Sequence, residues 1–190
     1  MAGKINGAVG NYNSHYFSYP NVNWRASCEE FVEKKLNLKF NPYTTQIESH
    51  DSLVKYMGEV GLYNTISIGF CKDTWEYISK GYLTQKTKQG EIGSSTMPHK
   101  VNPIDFENCE GNLGVANSLV DHFRNKLPIS RLQRDLSDST VLRNQGSILG
   151  YSIIGYYSLT KGLGKIESNQ KFMEQDLDNH YEVITEAIQT

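Results

Sequence analysis

The chain has 190 residues, with 19 basic and 21 acidic side chains and a formal net charge of −2. Its length is sufficient for one domain with a sizeable core, and a balanced charge without a basic stripe argues against nucleic acid as the main ligand. No apolar stretch approaches membrane-spanning length, and the first residues lack the apolar run of a signal peptide. The three cysteines form no CxxC pair. We therefore expect a cytoplasmic protein with free thiols.

The first 45 residues are rich in Gly, Asn, Tyr and Pro, and this composition predicts extended loops with one short helix. That helix is expected over residues 24–35, because Ser27 and the acidic pair that follows it favour a helix start. The run Asn41-Pro42-Tyr43 then breaks the chain.

A long helix is predicted between about residues 50 and 82. Asp51 or Ser52 is a suitable cap, and side chains then recur every three or four positions, which is the helical period. The members of this stripe are Leu53, Met57, Val60, Asn64, Ile68, Cys71, Trp75 and Ile78. Asn64 is its one polar member, and we assign it no function because long core helices tolerate a hydrogen-bonded Asn.

Three more helices are predicted, over about residues 103–127, 138–161 and from 169 into the C-terminus, and the alternation that sheets need is absent. The fold class is therefore predicted to be all-α, a bundle of long helices. Residues 151–159 are apolar nearly all round, so this helix requires burial on more than one side. We therefore expect the chain to self-associate.

The most informative segment spans residues 93–103, which read Gly-Ser-Ser-Thr-Met-Pro-His-Lys-Val-Asn-Pro. Ser94 and Ser95 supply adjacent hydroxyls and Lys100 a cation, while Asn102 and Pro103 are favoured at a helix start. Hydroxyls, a cation and a helix N-terminus together suit the binding and polarising of an anion. The alternative is an ordinary polar connection between two helices.

A second polar segment spans residues 133–143. Arg134 and Arg143 bring two guanidinium groups, and Ser139 and Thr140 two hydroxyls, close to a predicted helix N-terminus. This arrangement suits a phosphate group. The alternative is a solvated surface turn in which Ser and Asp cap the helix.

Other candidate residues fit a chemical role less well. His99 lies inside the first segment, and histidine is the side chain that changes charge near neutral pH, but we do not expect it to have a direct chemical role. His50 is expected to cap or pack against the long helix. Glu107 and Glu110 share one helix face, but no His ligands lie nearby, so we expect no metal site. No cofactor is expected either.

Residues 93–103 resemble the signature loop of the fumarase/aspartase superfamily, Gly-Ser-Ser-x-Met-Pro-x-Lys-x-Asn, at every fixed position. Residues 4–13, 41–48 and 133–143 are similar to segments of one branch, the bacterial-type adenylosuccinate lyases. The resemblance implies a long-helix bundle that forms a homotetramer, with active sites drawn from three subunits. It also implies that the substrate is adenylosuccinate, cleaved to AMP and fumarate, or the succinylated carboxamide ribotide.

The resemblance also implies roles for particular residues. Ser94 would be the catalytic base, activated by Lys100 and backbone N–H groups. Lys100 and Asn102 would hold the succinyl carboxylates, and two arginines with Ser139 would hold the phosphate. The substrate-binding set that it implies is Gln46, Ser95, Lys100, Val101, Asn102, Asn108, Arg134, Ser139, Thr140, Val141, Leu142 and Arg143.

Members of this branch are two to three times longer, and the resemblance places their general-acid His upstream of Lys4. We therefore expect an incomplete central helical domain over residues 1–190, without the family's N-terminal and C-terminal domains. It would comprise a loop-rich entry (1–45) and long helices (50–190), with the loop near 87–103. By itself such a piece would have little activity, because acid and base act together. The alternatives are a non-catalytic helical assembly, a nucleotide-binding fragment, or another fumarate-releasing lyase.

Overall fold

The computed structural model describes residues 1–86 and 102–189. They form two compact units, one of Met1–Tyr63 and Asn117–Ile148, the other of Asn64–Ala116 and Leu149–Thr190. Helices dominate both units, which confirms the predicted all-α class. None of the helices in these ranges combines the length and apolar character needed to cross a bilayer.

The helices of the described residues are α1 (Asn13–Ser18), α2 (Trp24–Glu30), α3 (Asp51–Ser79), α4 (Ile104–Lys126), α5 (Ser137–Leu142), α6 (Gln145–Leu163), α7 (Gln170–Asn179) and α8 (Thr185–Gln189). A π-helix, Phe31–Lys35, extends α2, and a 3-10 helix, Tyr181–Ile184, precedes α8.

Short strands are also present among the described residues, in two pairs. In the first unit β1 (Ala2–Gly3) pairs in parallel with β2 (Lys39–Phe40). In the second unit β3 (Leu83–Gln85) pairs antiparallel with β4 (Ile166–Ser168). Strands of two or three residues are too short to produce a recognisable alternation.

The long helix α3 follows most of its predicted stripe. Leu53, Met57, Asn64 and Cys71 are buried as predicted. Trp75 was placed on the buried face, but its side chain is 45% exposed, and Thr74 is buried instead. The face of a straight helix drifts around the axis because 3.6 residues make a turn, so the next buried position follows Cys71 by three rather than four.

The predicted helix over residues 138–161 is interrupted. It forms α5 and α6, separated by a turn at Arg143 and Asn144. The Asn144 N–H donates to the Val141 carbonyl at 2.9 Å, and its side-chain amide donates to the Thr140 carbonyl at 3.1 Å. Asn side chains compete in this way for backbone groups, which explains the break.

In the first unit, α3 and α4 pack antiparallel at close range. Gly58 lies beside Arg124 and Gly61 beside Val120, so residue numbers rise on one helix as they fall on the other. A Cβ on Gly61 would lie 2.9 Å from the Val120 Cγ1 atom. Glycine therefore permits the close approach of the two helices.

In the second unit, α3, α4 and α6 pack together around a shared buried cluster. Cys71 of α3 and Phe106, Cys109 and Leu113 of α4 form a buried cluster, against which Tyr156 of α6 packs. Burial raises the pKa of the Cys71 thiol to about 12, and the three cysteines are free thiols as predicted.

Asn64 is fully buried in the second unit. Its amide donates to the Ser152 hydroxyl at 3.1 Å, and its carbonyl accepts a hydrogen bond from the Tyr156 hydroxyl. A buried amide satisfied in this way is a structural group.

Asp135 organises the connection between α4 and α5 in the first unit. Its carboxylate accepts from the Ser137 N–H at 3.0 Å, and its own N–H donates to the Ser130 hydroxyl at 3.1 Å. Lys126 and Arg131 lie 3.5 and 3.6 Å from the carboxylate. The hydrogen bonds from Ser137, helped by these two cations, lower the pKa of Asp135 to about 2.

Gly155→Ala is expected to destabilise the protein. A Cβ at Gly155 would lie 2.5 Å from the Leu113 Cδ2 atom in the buried cluster, and such overpacking costs about 1–3 kcal/mol. Gly150→Ala on the same helix is the matched control, because a Cβ there meets nothing within 4 Å; it should stabilise by about 0.4–1 kcal/mol. Urea unfolding measures both, and equal stabilities for the two variants would contradict the packing described.

Asp135→Asn is expected to lower stability in a pH-dependent way. The pKa of Asp135 is depressed in the folded state to about 2, so its stabilising contribution is full above its unfolded pKa of about 3.9 and is lost as pH falls. The difference in unfolding free energy between wild type and variant should therefore be constant near pH 6 and shrink below about pH 4.

The control for this experiment is Glu30→Gln, which removes an exposed ion pair with Lys34. Exposed pairs contribute little to stability. A wild-type advantage over Asp135→Asn that is the same at pH 6 and at about pH 3 would rule out the proposed contribution of the Asp135 carboxylate.

Candidate functional site

The signature segment is described only at its end. Ser94, Ser95, Lys100 and Val101 lie outside the described residues, as does His99. Asn102 and Pro103 directly precede α4. The backbone N–H groups of Phe106 and Glu107, in the first turn of this helix, donate to the Pro103 carbonyl at 3.0 and 3.2 Å. The motif therefore leads into a helix at the predicted place.

The residues that flank this segment are anchored in the second unit. The Lys86 N–H donates to the Lys165 carbonyl at 2.7 Å. On the other flank, Asp105 lies 2.8 Å from the Lys165 ammonium and 2.9 Å from that of Lys161. Burial alone would raise the pKa of Asp105, but the hydrogen bonds and charges of the two lysines outweigh it and lower the pKa below its usual value.

The remaining predicted site residue of the second unit is Asn108, which is exposed on α4. Its carbonyl accepts from the Asn112 amide at 2.7 Å. Glu107 and Glu110, the two carboxylates predicted to share one face of this helix, each contact a side chain of α3. Glu107 accepts a hydrogen bond from the Trp75 indole, and Glu110 forms an ion pair with Lys72. No group of three potential metal ligands occurs within residues 1–86 and 102–189.

In the first unit, the segment 4–13 supports the turn that carries Gln46. The Lys4 ammonium donates to the carbonyls of Gly7, Thr45 and Gln46 at 3.0, 3.0 and 2.6 Å. The fully buried Asn6 donates to the Thr44 hydroxyl at 2.8 Å. These bonds fix the turn although it has little apolar core of its own.

Gly10 lies where the segment 4–13 meets the turn that carries Gln46, and glycine is required at this position. Its φ is +77°, in the region that favours glycine. A Cβ at this position would lie 2.0 Å from the Thr44 carbonyl oxygen. No other residue fits between the two backbones without moving them.

The turn also contacts the arginine-bearing segment 133–143. The Gln46 N–H donates to the Gln133 carbonyl at 3.3 Å, and the Gln46 side chain is exposed beside it. The first unit therefore brings together Gln46 and the segment that begins just before Arg134. Asn102 and Asn108 belong to the second unit.

The predicted phosphate residues occupy α5 and its two ends. Thr140 and Arg143 are exposed, while Ser139 and Leu142 are partly exposed and Val141 is buried. The Ser139 hydroxyl donates to the Leu136 carbonyl at 2.9 Å. The helix at which these residues lie is shorter than predicted, because α5 has six residues.

His50 and Asp138 accompany Arg134, which the sequence did not indicate. Asp138 is 6% exposed, and its carboxylate lies 3.5 Å from His50 Nε2 and 3.8 Å from Arg134 Nη2. The i, i+4 spacing of Arg134 and Asp138 was the available signal for their pairing. Nothing in the local sequence connects either residue to His50.

A cleft of about 510 Å³ opens beside this group in the first unit. Its lining includes side chains from the Gln46 turn, from the start of α3 and from the connection that follows α4. Glu48, His50, Ser130 and Asp138 are among its polar groups. Polar groups that converge on a concave, partly apolar surface are typical of small-molecule sites.

Comparison with protein families gives two matches. A family model described as "Lyase" matches residues 1–117, and one described as "Adenylosuccinate lyase C-terminal" matches residues 130–190. Together they span both segments that the sequence singled out.

Individual relatives cover the whole chain. An adenylosuccinate lyase of Vibrio cholerae is 57% identical over 98% of this chain, one of Haemophilus influenzae is 57% identical over all of it, and one of Escherichia coli is 56% identical over all of it. In each case the chain spans 41% of the relative's length. These findings confirm the resemblance drawn from the motifs. The chain belongs to the lyase family, and over its length it is similar to adenylosuccinate lyases.

Proposed function

We propose that this chain is part of an adenylosuccinate lyase, which releases fumarate from adenylosuccinate and leaves AMP, and does the same to the succinylated carboxamide ribotide. The observation that carries the proposal is the meeting, in the first unit, of the Gln46 turn with the segment 133–143. These are the segments assigned to the succinyl group and to the phosphate. A substrate that carries both groups requires the two to be near each other.

The reaction removes a proton from a carbon beside a carboxylate and then expels a nitrogen leaving group. It needs a base, stabilisation of the charge that develops on the carboxylate, and an acid for the nitrogen. We assign the base to Ser94, whose hydroxyl needs activation by a nearby cation, and that cation to Lys100. Asn102, Asn108 and Gln46 complete the carboxylate contacts. We assign the general acid to no residue of this chain.

The phosphate contacts are assigned to Arg134 and Arg143. Arg143 is exposed, and within the described residues its guanidinium makes no ion pair. The Arg134 Nε atom is buried without a hydrogen-bond partner in the same ranges. Guanidinium groups with unused donors suit the bidentate binding of phosphate.

AMP binding tests the phosphate assignment. Arg134→Ala and Arg143→Ala should each weaken AMP binding, measured by calorimetry, by about tenfold to a hundredfold, because each removes a charge-assisted hydrogen bond. Adenosine, which lacks the phosphate, should bind all variants alike. The control is Arg131→Ala, whose side chain is 84% exposed in the same segment. Unchanged AMP affinity in both arginine variants would contradict the assignment.

Catalysis is tested in a hybrid. The Escherichia coli relative, with its matching region replaced by these 190 residues, should release fumarate from adenylosuccinate. Ser94→Ala in the hybrid should slow that release by about a hundredfold to ten-thousandfold, the usual contribution of a general base. Ser18→Ala, at the end of α1, is the control and should have no effect. A folded hybrid without activity would favour a non-catalytic assembly or nucleotide-binding role.

We also propose that the chain forms a cytoplasmic homotetramer. The support is a set of exposed apolar side chains on the long helices α3 and α6, which water contact disfavours. The members include Leu62, Tyr63, Ile66, Phe70, Ile153, Ile154 and Tyr157.

Assembly is measured by light scattering after gel filtration. The wild type should have about four times the 21.5 kDa mass of one chain. Ile66→Lys combined with Ile153→Lys should yield smaller species, because buried lysines without partners are unfavourable. Glu59→Lys, at an exposed position of α3, is the control. A monomeric wild type would rule out the tetramer.

A further inference from the structure

The buried carboxylate of Asp138 is the charged group in the first unit that most needs an explanation. Its two oxygens face nitrogen atoms of two different side chains, with Oδ2 3.5 Å from His50 Nε2 and Oδ1 3.8 Å from Arg134 Nη2. A charge is retained in a protein interior only where it is paired. Asp138 therefore depends on these two neighbours, and their positions depend on it.

The group has unused hydrogen-bonding capacity. The distances are those of ion pairs and exceed hydrogen-bond lengths. Asp138 Oδ1, Arg134 Nε and His50 Nε2 are buried and have no hydrogen-bond partner within the described residues. Such groups are rare in native proteins, so each of them requires an explanation.

A chain of contacts connects this group to the Gln46 turn. The Glu48 carboxylate accepts from the His50 N–H at 2.8 Å and lies 3.8 Å from the same residue's Nδ1. His50 has a φ of +63° and accepts the first hydrogen bond of α3, from the Val54 N–H. Glu48, which belongs to the turn, thus holds His50 so that the Nε2 atom of its ring faces Asp138.

We propose that Asp138 positions the Arg134 guanidinium for the nucleotide phosphate, and that Glu48 and His50 hold Asp138 in place. This inference rests on the proposed function, in which Arg134 binds the phosphate. Asp138 acts through Arg134 and does not touch the ligand. The contacts also couple the turn that carries Gln46 to the segment that carries Arg134.

An electrostatic role and a positioning role for Asp138 predict opposite effects of Asp138→Asn on AMP binding. Asp138 and Glu48 are both negative, so as charges they repel a phosphate. If Asp138 contributed only its charge, Asp138→Asn would strengthen AMP binding. If it positions Arg134, the same change weakens AMP binding, because the guanidinium loses its charged partner and is free to turn away.

The experiment is a double-mutant cycle in AMP affinity, measured by calorimetry with adenosine as the phosphate-free comparison. Asp138→Asn should weaken AMP binding about tenfold, the lower end of what loss of a supporting residue costs a site, and leave adenosine binding unchanged. In an Arg134→Ala background it should have no further effect. Asp121→Asn, on the exposed face of α4, is the control.

Several results would overturn the inference. Tighter AMP binding by Asp138→Asn would show a charge effect only, and an equal loss in both backgrounds would show that Asp138 acts independently of Arg134. Should Asp138→Asn fail to fold by circular dichroism, His50→Gln is the second variant, and unchanged AMP affinity in it would reject the coupling. A wild type that binds no AMP contradicts the proposed function itself, and with it this inference.

Discussion

The antiparallel packing of α3 against α4 is the constraint on which the first unit depends. Gly61 allows α3 to approach Val120 closely, and the two helices then run side by side in opposite directions. The start of α3 and the end of α4 consequently lie at the same end of the unit. The loops attached there, before Asp51 and after Lys126, become neighbours, and they line the cleft.

Polar contacts then shape those loops. Lys4 donates to carbonyls of the Gln46 turn, and the buried Asn6 bonds to Thr44. Asp135 fixes the connection that leads to α5. Binding residues in many proteins lie on loops that a rigid scaffold positions. Here the scaffold is a helix pair, and these hydrogen bonds hold the loops in position.

Much of the fold could be predicted from the sequence, because long helices repeat their apolar positions many times. The bounds of α3 and α4 and the start of α2 follow from such stripes and from their capping residues. The break after α5 could not be predicted, since it depends on one Asn144 side chain that bonds to its own backbone. Trp75 was misplaced because the stripe drifts along a helix of 29 residues.

The sequence likewise indicated only some of the residues of the candidate site. Arg134, Arg143 and Gln46 were proposed from residue type and motif, because these side chains carry recognisable chemistry. His50 and Asp138 were missed as partners, since only the fold brings such distant positions together.

The most direct test of the central claim is a crystal structure of the protein with AMP bound. We expect the phosphate oxygens to lie within hydrogen-bond distance, about 2.7–3.2 Å, of the Arg134 and Arg143 guanidinium groups. A phosphate bound away from residues 133–143 would contradict it.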